Sequence, residues 1–528
     1  VHHQVHDESG PGTLVALLRQ RARFQRDTRA YSFLTGSSSN EPSLTYGELD
    51  RRARTIAQKL QSLGAAGERV LLLYPPGLEF IEAFFGCLYA GGLAVPAAAP
   101  GKASLQRSLP RLTGITRDAR VAFVLTTRSL AELLSPVSAE LGAPHWLVTE
   151  GLALEAAEHW REPELSDQSL AFLQYTSGST GSPKGVMVSH ANVLHNSAYI
   201  RQGFQHSEAS ISVSWLPAFH DMGLIDGILQ PLYSGFPAYL MSPTAFIQHP
   251  LQWLEAISRL RATHSGGPNF AYDLCIRKTT AEQRAALDLS SWSVAYSGAE
   301  PVRAETLQRF QEAFAASGFR AHAFYPCYGM AETTLKVSGP QREDPLVTCH
   351  ARSADLEHHR VVEGAPSEQG LVTLVGCGRV SGGLEVALVH PESGRRCSPE
   401  EVGEIWVSGP SVAQGYWEKP EETERTFRAR LAEAPGKHFL RTGDLGFLRN
   451  GNLFITGRLK DLIIIDGRNH YPQDVERTVE ESHPALHSGA CVAFSVEQDS
   501  QERAVVAVEV DRHWLRRLDS PAEPGATE

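Results

Sequence analysis

YTSGSTGSPKG, residues 175–185, holds three glycines, two threonines, three serines, one proline and one lysine between two apolar runs. Small residues let backbone N–H groups converge on an anion, hydroxyls add donors, and a lysine adds positive charge. Thr176, Ser177, Gly178, Ser179, Thr180 and Gly181, with Lys184, therefore read as a cradle for a triphosphate. The loop is not GxxxxGK[ST], because Pro183 stands where the second glycine would fall. A flexible Ser/Gly linker is the ordinary alternative. The flanks oppose it: an apolar run leads in, and Val186–Val188 continues as a strand.

Working outward, residues 45–63 (TYGELDRRARTIAQKLQSL) place Leu49, Ala53, Ile56, Ala57 and Leu60 on one helical face, with Gly64 as a stop. An apolar strand, Arg69–Tyr74, follows and Pro75-Pro76 ends it. Residues 83–101 are nearly long enough to span a bilayer, but paired glycines and two prolines make them a buried helix, a turn and a strand. Helix and strand alternate through residue 260, which predicts α/β layers with largely parallel sheets. Another apolar strand, with VAYS at its centre, lies between Ser291 and Glu300. Beyond Gly403 the texture changes to strands and turns. GEIWVSG is a strand, Asn450-Gly451 signals a hairpin, and Leu462–Ile465 is a strand closed by Asp466-Gly467.

Composition excludes several classes. A net charge of -11 with no basic stripe argues against nucleic acid. The longest uncharged run, Gly227–Leu254, contains four prolines and cannot be one spanning helix, so no membrane span is expected. Seven scattered cysteines form no CxxC pair, which fits a reducing compartment and a cytoplasmic location. No HExxH or GxSxG occurs.

The phosphate loop resembles the signature of the adenylate-forming superfamily, which includes acyl-CoA synthetases, luciferases and peptide-synthetase adenylation domains. Further segments agree with that family in order. Tyr296–Glu300 (YSGAE) looks like its adenine-facing strand and turn, with Ser297, Gly298 and Ala299 against the base. Tyr325–Thr333 (YPCYGMAET) is similar to its Tyr-Gly-x-x-Glu element: Tyr328 stacking on adenine, Gly329 and Met330 beside it, and Glu332 holding magnesium. Arg441–Gly446 (RTGDLG) carries Asp444 for the ribose hydroxyls. Gly457–Asp461 (GRLKD) carries Arg458, near ribose and phosphate, and Lys460 at the hinge. Leu216–Leu224 (LPAFHDMGL) sits where the family binds its acid, with His220 near the carboxylate and α-phosphate. Each residue also has an ordinary reading. Asp444 could organise a turn, Glu332 could be a solvated helix residue, Arg458 and Lys460 could end a charged hairpin, and His220 could be a core histidine satisfied by Asp221.

The resemblance implies an α/β protein. A large multi-subdomain N-terminal domain, residues 1–459, would contain two layered α/β sheets and a distorted β-barrel. A small, truncated α+β domain, residues 460–528, would follow. It implies ATP and magnesium as cofactors and the catalytic set Lys184, His220, Glu332 and Arg458. HDMGLIDGILQPL and TGRLKDLIIIDGRNHYPQDVE look most like the fatty acyl-AMP ligases. So does a long stretch at about 338–371, which resembles the insertion thought to restrain the C-terminal domain in that branch and to exclude coenzyme A. The partners implied are a fatty acid and an acyl carrier protein. An acyl-CoA ligase and a non-catalytic acyl-adenylate-binding module are the competing readings. The acid tunnel is expected among apolar residues of 215–246 and near Gly266-Gly267-Pro268-Asn269-Phe270. One departure stands out: no Gly-Lys follows residue 461, where relatives carry a lysine that reaches the α-phosphate, and the start is not Met. A shortened C-terminal domain is the expectation.

Overall fold

The computed structural model describes residues 10–36, 41–142, 145–176, 183–365, 367–465, 468–483, 485–498, 501–510 and 514. Two sheets organise it. In spatial order the first contains His145–Val148, Phe123–Thr126, Arg69–Tyr74, Leu93–Ala98, Leu170–Thr176 and Lys184–Ser189. Its pairings are parallel except the last, where Leu170–Thr176 and Lys184–Ser189 run antiparallel with Thr176 opposite Lys184. The phosphate loop is the connection between these two strands. The second sheet contains Phe324–Pro326, Val294–Ser297, His264–Gly266, Ser212–Ser214, Ala238–Met241, Arg29–Leu34 and Ser43–Thr45. It too is parallel apart from its final pair. Parallel strands covered on both faces must be apolar throughout, and Val70, Leu71, Leu72 and Leu73 are all fully buried.

The helix expected at 45–63 forms as Tyr46–Ser62. Thr45 Oγ1 accepts the Glu48 N–H at 3.2 Å while Glu48 Oε2 accepts the Thr45 N–H at 2.8 Å, a reciprocal capping box. Its five marked apolar residues are buried, and Gly64 ends the helix at φ +79°. Residues 83–101 divide as expected between helix Glu79–Tyr89 and strand Leu93–Ala98. The two helices pack closely because Gly86 has no side chain; a Cβ there would lie 2.6 Å from Ile56 Cγ2.

After Lys336 the chain builds smaller antiparallel sheets. GEIWVS is the strand Gly403–Ser408, and Asn450-Gly451, both at positive φ, turn the hairpin between Ala434–Arg449 and Asn452–Arg458. The expected barrel is not closed. The described strands form open sheets of three, two and five strands, and just after the two-stranded sheet the chain bridges to the five-stranded one at Gly376–Phe454. The five-stranded sheet's outer strands Glu385–Val389, Ala429–Leu431 and Asn452–Arg458 each pair with one strand only among the described residues, so the ladder does not run round into a closed ring. Within 338–371, strand Thr348–Arg352 pairs with Leu371–Val375 and is followed by the short helix Ser353–Leu356. Strand Ile463–Ile465 pairs with Arg468–His470; the intervening Asp466-Gly467 turn lies outside the described residues. Helix Pro472–Ser482 then packs on the hairpin Leu486–Gln498/Gln501–Val510. Among the described residues no helix is long and apolar enough to cross a membrane.

Thr45→Ala removes one half of the capping box and is expected to lower stability by about 1 kcal/mol, measured as a shift in the denaturant midpoint of the first unfolding transition.

Candidate active site

A cleft of about 1080 Å³ gathers most of the expected site residues. Thr176 and Lys184 enter from the antiparallel edge of the first sheet; Ser177, Gly178, Ser179, Thr180 and Gly181 lie outside the described residues. The edge is anchored from behind. Tyr175 Oη donates to Asp118 Oδ2 at 2.7 Å, Lys419 Nζ pairs with Asp118 Oδ1 at 2.5 Å, and Gly185 leaves space for the Tyr175 ring. Lys184 forms an ion pair with Glu422 and stands 5.2 Å over the Tyr416 ring. The lysine charge is thus held at the loop by a surface carboxylate, whose pKa the Lys184 hydrogen bond lowers.

His220 reaches the same cleft. Gln174, on the strand leading into the phosphate loop, donates to the Phe219 carbonyl at 2.7 Å and fixes this segment beside it. Gly223 permits the tight return, since a Cβ there would collide with the Pro217 carbonyl. His220 Nδ1 lies 2.7 Å from Asp221 Oδ1, yet about half of the imidazole side chain is exposed. The ordinary reading of a core histidine therefore fails on burial and holds on pairing. Packing around the ring draws its pKa down, and the hydrogen bond and charge of Asp221 more than offset this, for a net rise.

Glu332 is 8% exposed and lines the cleft; it is not a solvated helix residue. Burial raises its pKa, and a hydrogen bond from Tyr416 Oη to Oε1, at 2.8 Å, opposes that rise. Asp444 is a second buried carboxylate. It accepts Tyr328 Oη at 2.7 Å and Arg458 Nε at 2.9 Å, the latter across the strand pair in which Asp444 faces Arg458. Burial raises the Asp444 pKa, and the Arg458 charge counteracts it. Gly443 does turn the chain here, at φ +72°, but Asp444 faces partners rather than capping the turn.

Gly298, Ala299, Gly329 and Met330 all line the cleft. The Ser297 side chain does not; it is buried, and its carbonyl accepts the Cys327 N–H at 2.9 Å. A Cβ at Gly298 would lie 3.1 Å from the Cys327 carbonyl oxygen, and Ala299 adopts φ +69°, a left-handed conformation unusual for alanine. Lys460 is exposed at the cleft's edge, immediately after Arg458–Leu459.

Two regions differ from expectation. Residues 266–270 do not line the cleft, and Leu224, Ile225, Ile228 and Leu229 are core. Of the apolar residues expected at 215–246, Met222 does line the cleft, and it is joined by Ile200 and Phe204 of helix His190–Phe204 and by Leu335. Periodicity cannot separate a core face from a cavity face, since both are apolar. Tyr416, Glu422 and Gln174 were equally silent in the sequence: each acts on a residue more than 40 positions away.

The AMP-binding enzyme family matches residues 18–417. The chain belongs to that family. A Disco-interacting protein 2-like AMP domain matches residues 460–517. The family member is 50% identical, over 96% of this chain and 87% of the relative, to a medium-chain-fatty-acid–[acyl-carrier-protein] ligase of Moorena producens. It is 37% identical, over 94% and 86%, to a long-chain-fatty-acid–AMP ligase of Mycobacterium tuberculosis. Among solved structures, the fatty acyl-adenylate ligase of Legionella pneumophila in complex with acyl adenylate and pyrophosphate superposes with a TM-score of 0.82 at 41% identity, covering 96% of this chain and 88% of that one.

Ionised Glu332 is the form that can bind a cation, and burial delays its ionisation to higher pH. The fold is correspondingly favoured with Glu332 protonated and loses that advantage as pH rises through its folded pKa. Tyr416→Phe removes a donor to the carboxylate. The pH midpoint of divalent-cation binding, followed by calorimetry, is expected to move upward in this variant.

Proposed function

We propose that this AMP-binding enzyme condenses a fatty acid with ATP to give acyl-adenylate and pyrophosphate, then passes the acyl group to the phosphopantetheine of an acyl carrier protein. One observation carries the reading. Lys184, His220, Glu332 and the Tyr328–Asp444–Arg458 cluster, spread over more than 270 positions, converge on a single cleft. The names of the relatives and the acyl-adenylate complex of the Legionella protein support it.

The chemistry needs positioning more than proton transfer. The acid arrives as a carboxylate and attacks the α-phosphorus in line, so no general base is required. Asp444, oriented by Tyr328 and Arg458, accepts hydrogen bonds from the ribose hydroxyls. Adenine lies along Gly298–Ala299 and the Tyr328 ring, with Ser297 supporting the turn through its carbonyl, and with Gly329 and Met330 beside it. The hydroxyls and N–H groups of 176–181 hold the phosphates. Lys184 leaves Glu422 for the phosphates as pyrophosphate departs. His220 faces the carboxylate and α-phosphate.

The described residues contain no cluster of three or more His, Cys, Asp or Glu side chains suited to a metal. A single buried carboxylate, Glu332, fits magnesium whose other ligands are phosphate oxygens and water. When bound, the ion supplies charge neutralisation on the phosphates. We place the large domain at 1–459 and the smaller one from Lys460 onward. Carrier-protein transfer, as in polyketide or lipid assembly, is favoured over coenzyme A by specific contacts. Asn469 Nδ2 donates to the Glu357 carbonyl and meets His359 Nε2, each at 3.0 Å, and Tyr471 Oη donates to the Leu356 carbonyl at 3.5 Å. The 338–371 segment thereby ties down the chain beyond the hinge. A cytoplasmic location agrees with cysteines that are all free.

Mass spectrometry after incubation with ATP, magnesium and dodecanoic acid is expected to show acyl-AMP that persists when coenzyme A is added; conversion to acyl-CoA refutes the carrier-protein assignment. Lys184→Ala and Glu332→Ala are each expected to reduce pyrophosphate release roughly 100-fold or more. Unchanged release in either variant removes that residue from the mechanism. Asn469→Ala is expected to loosen the tether and to raise acyl-CoA formation above the wild-type level in the same assay.

A further inference from the structure

The most deeply buried part of the cleft wall is not simply apolar. Beside Ile200, Phe204 and Leu335 it presents Lys336, 5% exposed, and Asp226, 4% exposed. Lys336 has no carboxylate partner among the described residues. Its Nζ donates to Tyr325 Oη at 2.7 Å and lies 4.3, 5.0 and 5.3 Å from the rings of Tyr199, Tyr325 and Phe204. Such a cage stabilises an ammonium through the ring faces but accepts few of its hydrogen bonds. An ammonium has three N–H donors, and the Tyr325 hydroxyl takes one.

The niche is built for this group. A Cβ at Gly203, on the helix above, would collide with Lys336 Nζ and Tyr325 Oη. A Cβ at Gly339 would lie 2.6 Å from the same hydroxyl. Two glycines thus leave room for one lysine–tyrosine pair. Burial also draws the Lys336 pKa down to about 7, as expected for an ammonium without a counter-ion. Across the Phe204 ring, Asp226 projects from the π-helix Met222–Leu229, held by His264 Nε2 at 3.0 and 3.1 Å. The neighbouring Tyr296 hydroxyl is buried, and burial and the Asp226 carboxylate beside it hold its pKa above the usual phenol range. A wall meant only for an alkyl chain would leave the remaining Lys336 N–H donors unmet, at a cost in free energy.

We propose that this wall selects an acid bearing a hydrogen-bonding oxygen, a hydroxyl or keto group, along its chain, with Lys336 as the specificity-determining donor. The proposal rests on the acid lying in this cleft, as argued above. A hydroxyl or keto oxygen on the chain accepts from Lys336. A plain alkyl chain offers Lys336 no acceptor, and sites built to hydrogen-bond a ligand discriminate strongly against analogues that lack the polar atom.

The test compares octanoic acid with hydroxy- and oxo-octanoic acids oxygenated at each chain carbon in turn, following pyrophosphate release and acyl-AMP formation by the wild-type protein. At least one oxygenated acid is expected to exceed octanoic acid in kcat/KM by roughly tenfold or more. In Lys336→Met that ratio is expected to collapse through a raised KM for the oxygenated acid, while KM for octanoic acid falls. Octanoic acid matching or exceeding every oxygenated acid overturns the proposal, and the wild-type comparison decides this even if the variant does not fold. A ratio that survives Lys336→Met in a variant of unchanged melting temperature removes Lys336 from the selection. Adenylation of octanoic acid without any oxygen preference sinks only this inference. No adenylate from any acid sinks the proposed function with it.

Discussion

A carboxylate withdrawn from water must be met by donors, and three such buried groups line the cleft of this molecule. Asp444 is met by Tyr328 and Arg458, Glu332 by Tyr416, and Asp226 by His264. Arg458 faces Asp444 across one hairpin, while Tyr328, Tyr416 and His264 come from other segments, so each buried charge ties separate parts of the chain together. Breaking one pair leaves an uncompensated buried charge, which is far more costly than never having placed it there. The cleft exists because these three constraints are satisfied around its wall rather than inside a closed core.

The same logic links structure to chemistry. Glu332 and Asp444 are pushed toward neutrality by burial, and both face a cleft that would receive cations or hydroxyl donors. The protein partners hold the carboxylates in place without exhausting their acceptor capacity, because a carboxylate offers about four lone-pair sites. Lys184 shows the complementary arrangement. Its charge rests on Glu422, which is exposed enough to release it to a stronger anion at small cost. Lys336 is the exception, a buried cation met, among the described residues, by ring faces and one hydroxyl.

The segment around 353–359 adds a mechanical element. It is held in the large lobe by the strand pair Thr348–Arg352/Leu371–Val375 and reaches across to Asn469 and Tyr471. Motion beyond Lys460 would have to break these hydrogen bonds together. The Asp444–Arg458 pair lies just before Lys460, the proposed hinge.

Local pattern determined a good deal by itself. The helix Tyr46–Ser62 was legible from its apolar face and its Thr45/Glu48 box, and Arg69–Tyr74 from an unbroken apolar run. The turn at Asn450-Gly451 needed only its two residues, and the family membership was legible from YTSGSTGSPKG together with the Tyr328, Asp444 and Arg458 segments. These features depend on near neighbours, whose geometry the chain sets directly. Only the tertiary structure decided which apolar faces line the cleft, because a core face and a cavity face obey the same periodicity. Hence Gly266–Phe270 fell away from the site while Ile200, Phe204 and Leu335 entered it. Nor could spacing reveal that Tyr416 serves Glu332, that Gln174 fixes His220, or that Gly203 makes room for Lys336. Those relations are set by how sheets and helices pack, and packing joins residues with no regard for their separation along the chain.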